Sequence, residues 1–215
     1  VAYGRRQHGL LPTLVLVESL SVEDLNACAE RVARWARSGI ATPLMLTHGD
    51  FARSLDAFPI EYGEIIHHHQ VVFGSDPFDG LAIRREDLRR ACEVQVKSHL
   101  LHLREDYIEA RGRLSEVDDL VRESAPGFAT LLRNLARLDQ ADAESPRGLL
   151  EYARVRFDID DRVVGDLLAL ADGDGQASVD AVKLFPEYLG VMERLAAFVD
   201  RWRSPDPLDR APGRA

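Results

Sequence analysis

The sequence predicts an α+β chain: a small mixed-sheet α/β layer over 1–80, an α-helical bundle over 84–203, and a disordered tail over 204–215. Three observations lead there. Short apolar runs at 14–17 and 43–47 flank a helical repeat, only helical periods follow Gly80, and 215 residues with 46% hydrophobic content suffice for a packed core. In order, Leu14–Val17 is an apolar run after Pro12 and predicts a buried strand. Ser21 is an N-cap, and Leu25, Cys28, Ala29, Val32, Trp35 and Ala36 recur at helical spacing until Ser38-Gly39. Pro43–Thr47 predicts a second strand, Asp50–Leu55 a helical turn, Phe58–Ile66 a third strand, and Gln70–Gly74 its β-branched and aromatic return.

Beyond Asp76-Pro77 and Gly80, long helices are expected at 84–111 and at Leu114–Asp139. The second is restarted or kinked at Ser124-Ala125-Pro126. Helices at 147–157, 160–171 and Val179–Arg203 complete the bundle, with Pro186 near the start of the last. The Pro-rich, apolar-poor segment Ser204–Ala215 reads as disordered.

Net charge is −9, and the acidic excess is shared by the two parts, so duplex nucleic acid is excluded as a main partner. No apolar run approaches the length of a membrane helix and no charged-then-apolar leader opens the chain. Cys28 and Cys92 lie in apolar helical patterns without metal or redox spacing. They read as small core residues of a cytoplasmic protein. The first residue is Val1 rather than Met, which is the expectation for a processed or partial version of a longer product whose upstream residues could carry chemistry.

The helix at 84–111 is the most informative element. On a wheel, Leu88, Cys92, Val96, Leu100, Leu103 and Tyr107 form the main apolar stripe and Val94, Leu101 and Ile108 a second. Glu93, Lys97 and Arg104 fall between the stripes with Arg89 at their edge, and are expected to be shielded from bulk water. Two readings fit: a structural ion network built on the Glu93/Lys97 pair, or a cleft wall whose Lys97 and Arg104 hold an anionic ligand such as a phosphate.

Glu61 is a strand carboxylate under the period-two reading, with Phe58, Ile60 and Tyr62 on the opposite face. Glu64 with His67 or His68 adds a borderline metal set, although three successive imidazoles at 67–69 cannot all meet one ion. Asp172-Gly173-Asp174-Gly175 resembles the start of a calcium loop, but Ala177 and Lys183 stand where glycine and glutamate belong. P-loop, GxSxG and GxGxxG fingerprints are absent.

Two stretches carry a resemblance. Residues 56–62 (DAFPIEY), 69–74 (HQVVFG) and Asp76-Pro77 resemble the later strands of bacterial nucleotidyltransferase-like proteins of the polymerase-β-type fold. Leu88-Arg89, Cys92-Glu93, Lys97, Leu100-Leu101, Leu103-Arg104 and Tyr107 resemble the start of that group's helical domain, and Pro126, Phe128 and Leu131–Arg133 its continuation. The resemblance implies a Gly-Ser turn for the nucleotide phosphates, an Asp-x-Asp for two magnesium ions and a third carboxylate on a later strand. Glu61 takes the third carboxylate's place, as the catalytic candidate. Tyr3-Gly4-Arg5 has the glycine but Arg for Ser, and Pro12-Thr13-Leu14-Val15 stands where Asp-x-Asp is due.

The expectation is therefore a catalytically degenerate nucleotidyltransferase-like protein. It binds a nucleotide or other phosphorylated small molecule between sheet and bundle through Arg89, Glu93, Lys97 and Arg104. The alternatives are an active magnesium-dependent transferase acting on a small hydroxylated molecule or a protein, and a structural module in which the bundle forms a homodimer.

Overall fold

The structure, a computed structural model, describes residues 1–4, 9–143, 145–173 and 179–204. It is mostly helical. Small two-stranded sheets near the N-terminus precede a packed bundle, and the chain divides into two compact units after Asp87. Most of the 204–215 segment, and residues 174–178 of the calcium-like stretch, lie outside the described residues.

In the first unit, β1 (Ala2–Tyr3) pairs antiparallel with β4 (His69–Gln70), and β2 (Leu14–Val17) runs parallel to β3 (Leu44–Thr47). An antiparallel bridge from Ala2 to Thr13 ties β1 to the start of β2. Parallel strands require a crossover, supplied here by α1 (Val22–Ala29) and α2 (Val32–Arg37). Ser21 caps α1 as its sequence predicts: its side chain accepts from Asp24 N, and the Asp24 carboxylate returns the bond to the Ser21 main chain. The expected single helix is nevertheless two, with Glu30-Arg31 between them, and neither contains a buried residue. Val22 and Leu25 are exposed and Cys28 is only half-buried, which corrects the reading of Cys28 as a core residue.

The core of this unit lies on the other side of β2. Leu14, Phe51 of α3 (His48–Arg53), Tyr62 and Ile65 of α4 (Pro59–His67), and Phe78 form it. The third strand is thereby corrected: 59–67 is helical. Pro59 occupies the first turn, where its missing N–H costs nothing, and Pro59, Tyr62, Gly63 and Ile65 are buried at helical spacing. Phe58, expected to share a strand face with Tyr62, is 50% exposed. The Gln70–Gly74 return is also corrected. Only His69 and Gln70 pair, and the following Val71-Val72-Phe73 has no strand partner among the described residues.

The second unit is built around α6 (Leu114–Leu138), packed by α7 (Pro146–Phe157), α8 (Asp161–Ala171) and α9 (Ala181–Arg201). α6 runs through Pro126 without restarting, because Val121, Ala125, Phe128, Ala129 and Leu132 on either side are all buried and the packing outweighs one lost main-chain bond. The long helix α5 (Arg85–Glu109) buries Leu88, Cys92, Val96 and Leu103, as its main stripe predicts. Its second stripe is not a wall. Val94, Leu101 and Ile108 are 70%, 64% and 73% exposed, since α9 and α6 meet only one side of the helix. Among the described residues no helix is long and apolar enough to cross a membrane.

Candidate functional site

The charged row of α5 forms an ion network inside the second unit. Arg89 Nη1 donates to Glu93 Oε2 at 2.7 Å, and Lys97 Nζ bridges Glu93 Oε1 at 2.6 Å and Asp200 Oδ1 of α9 at 2.8 Å. Arg104 Nη2 reaches Glu193 Oε1 of α9 at 2.7 Å. Hydrogen bonds from Lys97 and then Arg89 hold the Glu93 carboxyl below its ordinary pKa, and Asp200 followed by Glu93 raises that of Lys97. Arg89 is largely covered, but the Lys97 and Arg104 side chains are 47% and 48% exposed. The expected shielding fails for those two because the stripe beside them has no partner helix. The cations are placed where the helical wheel put them, yet each already holds a carboxylate.

Glu61 stands in the first turn of α4 and is exposed, so it is a helix residue rather than a strand carboxylate. In that position it favours the helix dipole. His69 is used structurally: Nδ1 lies 3.0 Å from the Ile66 carbonyl, Nε2 lies 3.3 Å from Asp76 Oδ2, and the ring meets Phe78 edge-on. Among the described residues no group of three or more His, Cys, Asp or Glu side chains could hold a metal ion.

A different feature of the first unit is concave. A cavity of about 570 Å³ opens at β2, and residues 13–16 all line it. Thr13 and Val15 form its floor, and Trp35, Ile40, Pro43 and His48 stand around it. It exists because α1 and α2 bury nothing against the sheet, so Trp35 remains half-buried at the rim. His48 is held at the end of β3 with Nδ1 3.2 Å from the Val17 carbonyl. The Thr13 hydroxyl is buried and has no hydrogen-bond partner among the described residues. A buried orphan hydroxyl costs roughly 1–3 kcal/mol.

The magnesium pair implied by the resemblance does not fit these residues. Pro12-Thr13 opens β2 and β3 reads Leu-Met-Leu-Thr, so neither strand offers a carboxylate. None of the described residues lining the cavity is Asp or Glu. Trp35 and His48 were not singled out by the sequence reading. Helical spacing places Trp35 in a core stripe, and the one available signal is that tryptophan occurs only twice in the chain.

The chain is mostly helical, with two separate two-stranded sheets near the N-terminus, rather than one mixed sheet, followed by a packed helical bundle. Compared with known proteins, the chain matches no family model, no curated protein and no solved structure.

Proposed function

We propose that this protein is a nucleotidyltransferase-like binding protein whose metal-clamped transfer step is lost. It takes the base or another flat apolar part of a nucleotide-sized ligand into the cavity over β2. The observation that carries this reading is the coincidence of place: a cavity of about 570 Å³ is lined by residues 13–15, within the stretch Pro12-Thr13-Leu14-Val15 that stands where the resemblance puts the metal acids. A pocket of this size holds a small organic molecule. Trp35 and His48 offer rings at the cavity. Without paired carboxylates no residue here holds two magnesium ions against a triphosphate and an attacking hydroxyl, so no transfer step is derived.

The test is a thermal-shift and Trp35-fluorescence titration with the common nucleoside triphosphates, with and without magnesium. Saturable stabilisation that is insensitive to magnesium, lost in a folded Val15→Phe variant that fills the floor, is the expected result. Magnesium-dependent pyrophosphate release, or flat responses to every nucleotide, would overturn the reading.

A further inference from the structure

Helix α9 pairs its acids and its last two arginines differently. Its acids each meet a cation from another helix: Glu187 is 2.5 Å from Arg162 Nη2, Glu193 is 2.7 Å from Arg104 Nη2, and Asp200 is 2.8 Å from Lys97 Nζ. Its arginines are treated differently. The Arg194 guanidinium donates through Nη1 to the main-chain oxygen of Asp158 at 2.7 Å and has no carboxylate partner among the described residues. Arg201 has no ion pair or hydrogen bond among the described residues. In a chain of net charge −9 this is a local reversal of sign.

Both arginines border a groove of about 490 Å³. Residues 194, 197, 198 and 201 share one face of α9 by helical spacing, so Ala197 and Phe198 lie between the two guanidinium-bearing positions. The opposite wall is the C-terminal end of α7. That helix stops because Asp158 turns into the left-handed region at φ 53°, and Arg194 satisfies the carbonyl that the turn exposes. Arg156 adds a third guanidinium, 4.6 Å above the Phe198 ring and held by Asp139 Oδ2 at 2.7 Å. Phe198 and Trp202 line the groove as largely buried rings, and Asp158 is the only acidic residue among the described residues lining it. A cation in the last turn is accounted for by the helix dipole alone. A groove that gathers two guanidiniums with no carboxylate partner among the described residues is not.

We propose that this groove binds a dianionic small molecule that carries an aromatic ring, an aryl phosphate in chemical class. The phosphate sits between Arg201 and Arg194 and the ring lies over Ala197, beside the Arg156 guanidinium that covers Phe198 and within reach of Trp202. Guanidinium forks match phosphate oxygens, and the low-dielectric floor strengthens the attraction relative to open solvent. This site lies wholly in the second unit and shares no residue with the cavity at β2.

The experiment uses the full chain carrying Trp35→Phe, which leaves Trp202 as the sole tryptophan and removes the β2 cavity's reporter. Phenyl phosphate is titrated at low salt while Trp202 emission and phosphorus-31 line width are followed, with phenol and inorganic phosphate as the two halves of the probe. Saturable binding of phenyl phosphate is expected, with inorganic phosphate weaker and phenol silent. Arg201→Gln should weaken binding about tenfold, the loss expected for one charge-assisted contact. Arg201 is exposed at the helix end, so this variant folds. No saturable change in either signal, equal binding by phenol, or undiminished binding by Arg201→Gln would overturn the proposal. Failure of nucleotides at the β2 cavity would leave it standing.

Discussion

Glycine to alanine within a helix ordinarily stabilises a protein by about 0.5–1 kcal/mol, and two helical glycines here should respond with opposite signs. At Gly190, inside α9, an added Cβ meets nothing within 4 Å, so Gly190→Ala should gain most of that amount. At Gly148, in the first turn of α7, the same Cβ would stand 2.9 Å from the main-chain oxygen of Asp142 and 3.0 Å from the Ala143 Cα. Neither is the movable end of a side chain, so the backbone must shift. That shift also strains the cap in which Gly148 N donates to Ser145 Oγ at 3.0 Å. Overpacking costs about 1–3 kcal/mol and a weakened cap about 1 kcal/mol, which together exceed the propensity gain. Gly148→Ala should therefore be destabilised by about 1–3 kcal/mol net. Urea unfolding of the full chain, followed by helical circular dichroism, gives both values against the parent. Equal stabilisation by the two substitutions would refute the close approach of the 142–143 main chain to α7.

Three further outcomes follow from buried groups. Burial, with a smaller contribution from His102, lowers the pKa of His99, whose Nε2 lies 2.5 Å from the Tyr188 hydroxyl. The unfolded chain protonates first, so stability should fall as pH drops through about 6.5 toward the lowered value, at up to about 1.4 kcal/mol per pH unit. The stability difference between native and His99→Gln should change across that window, and an unchanged difference would contradict it. Asp139 accepts from Trp202 Nε1 at 3.0 Å, Tyr152 Oη at 3.2 Å and Arg156 Nε at 2.7 Å. Asp139→Ala should cost about 3 kcal/mol in chemical unfolding and Asp139→Asn less, since the amide oxygen keeps one of those donors. A cost within about 0.5 kcal/mol of zero for the alanine variant would remove Asp139 as a hub. In the first unit, Phe51 stacks on Tyr62 at 4.5 Å and meets Phe78 at 5.1 Å. Phe51→Ala should cost about 3–5 kcal/mol while the exposed Phe58→Ala costs under about 1 kcal/mol, and comparable losses would restore a strand-like placement of Phe58.

The helices of the second unit were legible because long amphipathic periods repeat many times. Leu88, Cys92, Val96 and Leu103 on α5 point where their spacing predicts. Short elements were less legible. In 58–66 a period of two and a period of 3.6 both place Tyr62 on the apolar side, and only Ile65 packing with Phe51 and Phe78 breaks the tie toward a helix. The second stripe of α5 failed for a related reason: a wheel orders residues around an axis but does not say whether a neighbour exists on each side. The charged row is a mixed case. Spacing alone joins Glu93 to Lys97, whereas the pairings with Asp200 and Glu193 cross 103 and 89 residues of chain.

What the sequence determines by itself is local and repetitive: the strand at 14–17, the cap at Ser21, the long helices, and the lack of a carboxylate at Pro12-Thr13. Tertiary structure decides what depends on distant partners: that Lys97 and Arg104 are neutralised, that Thr13 faces a cavity, and that Arg194 and Arg201 border a groove while α9's acids are paired elsewhere. The physical reason is range. Dihedral preference and capping act within a turn of the chain, whereas burial and ion pairing depend on which elements pack together, and the free energy of that choice belongs to the whole fold.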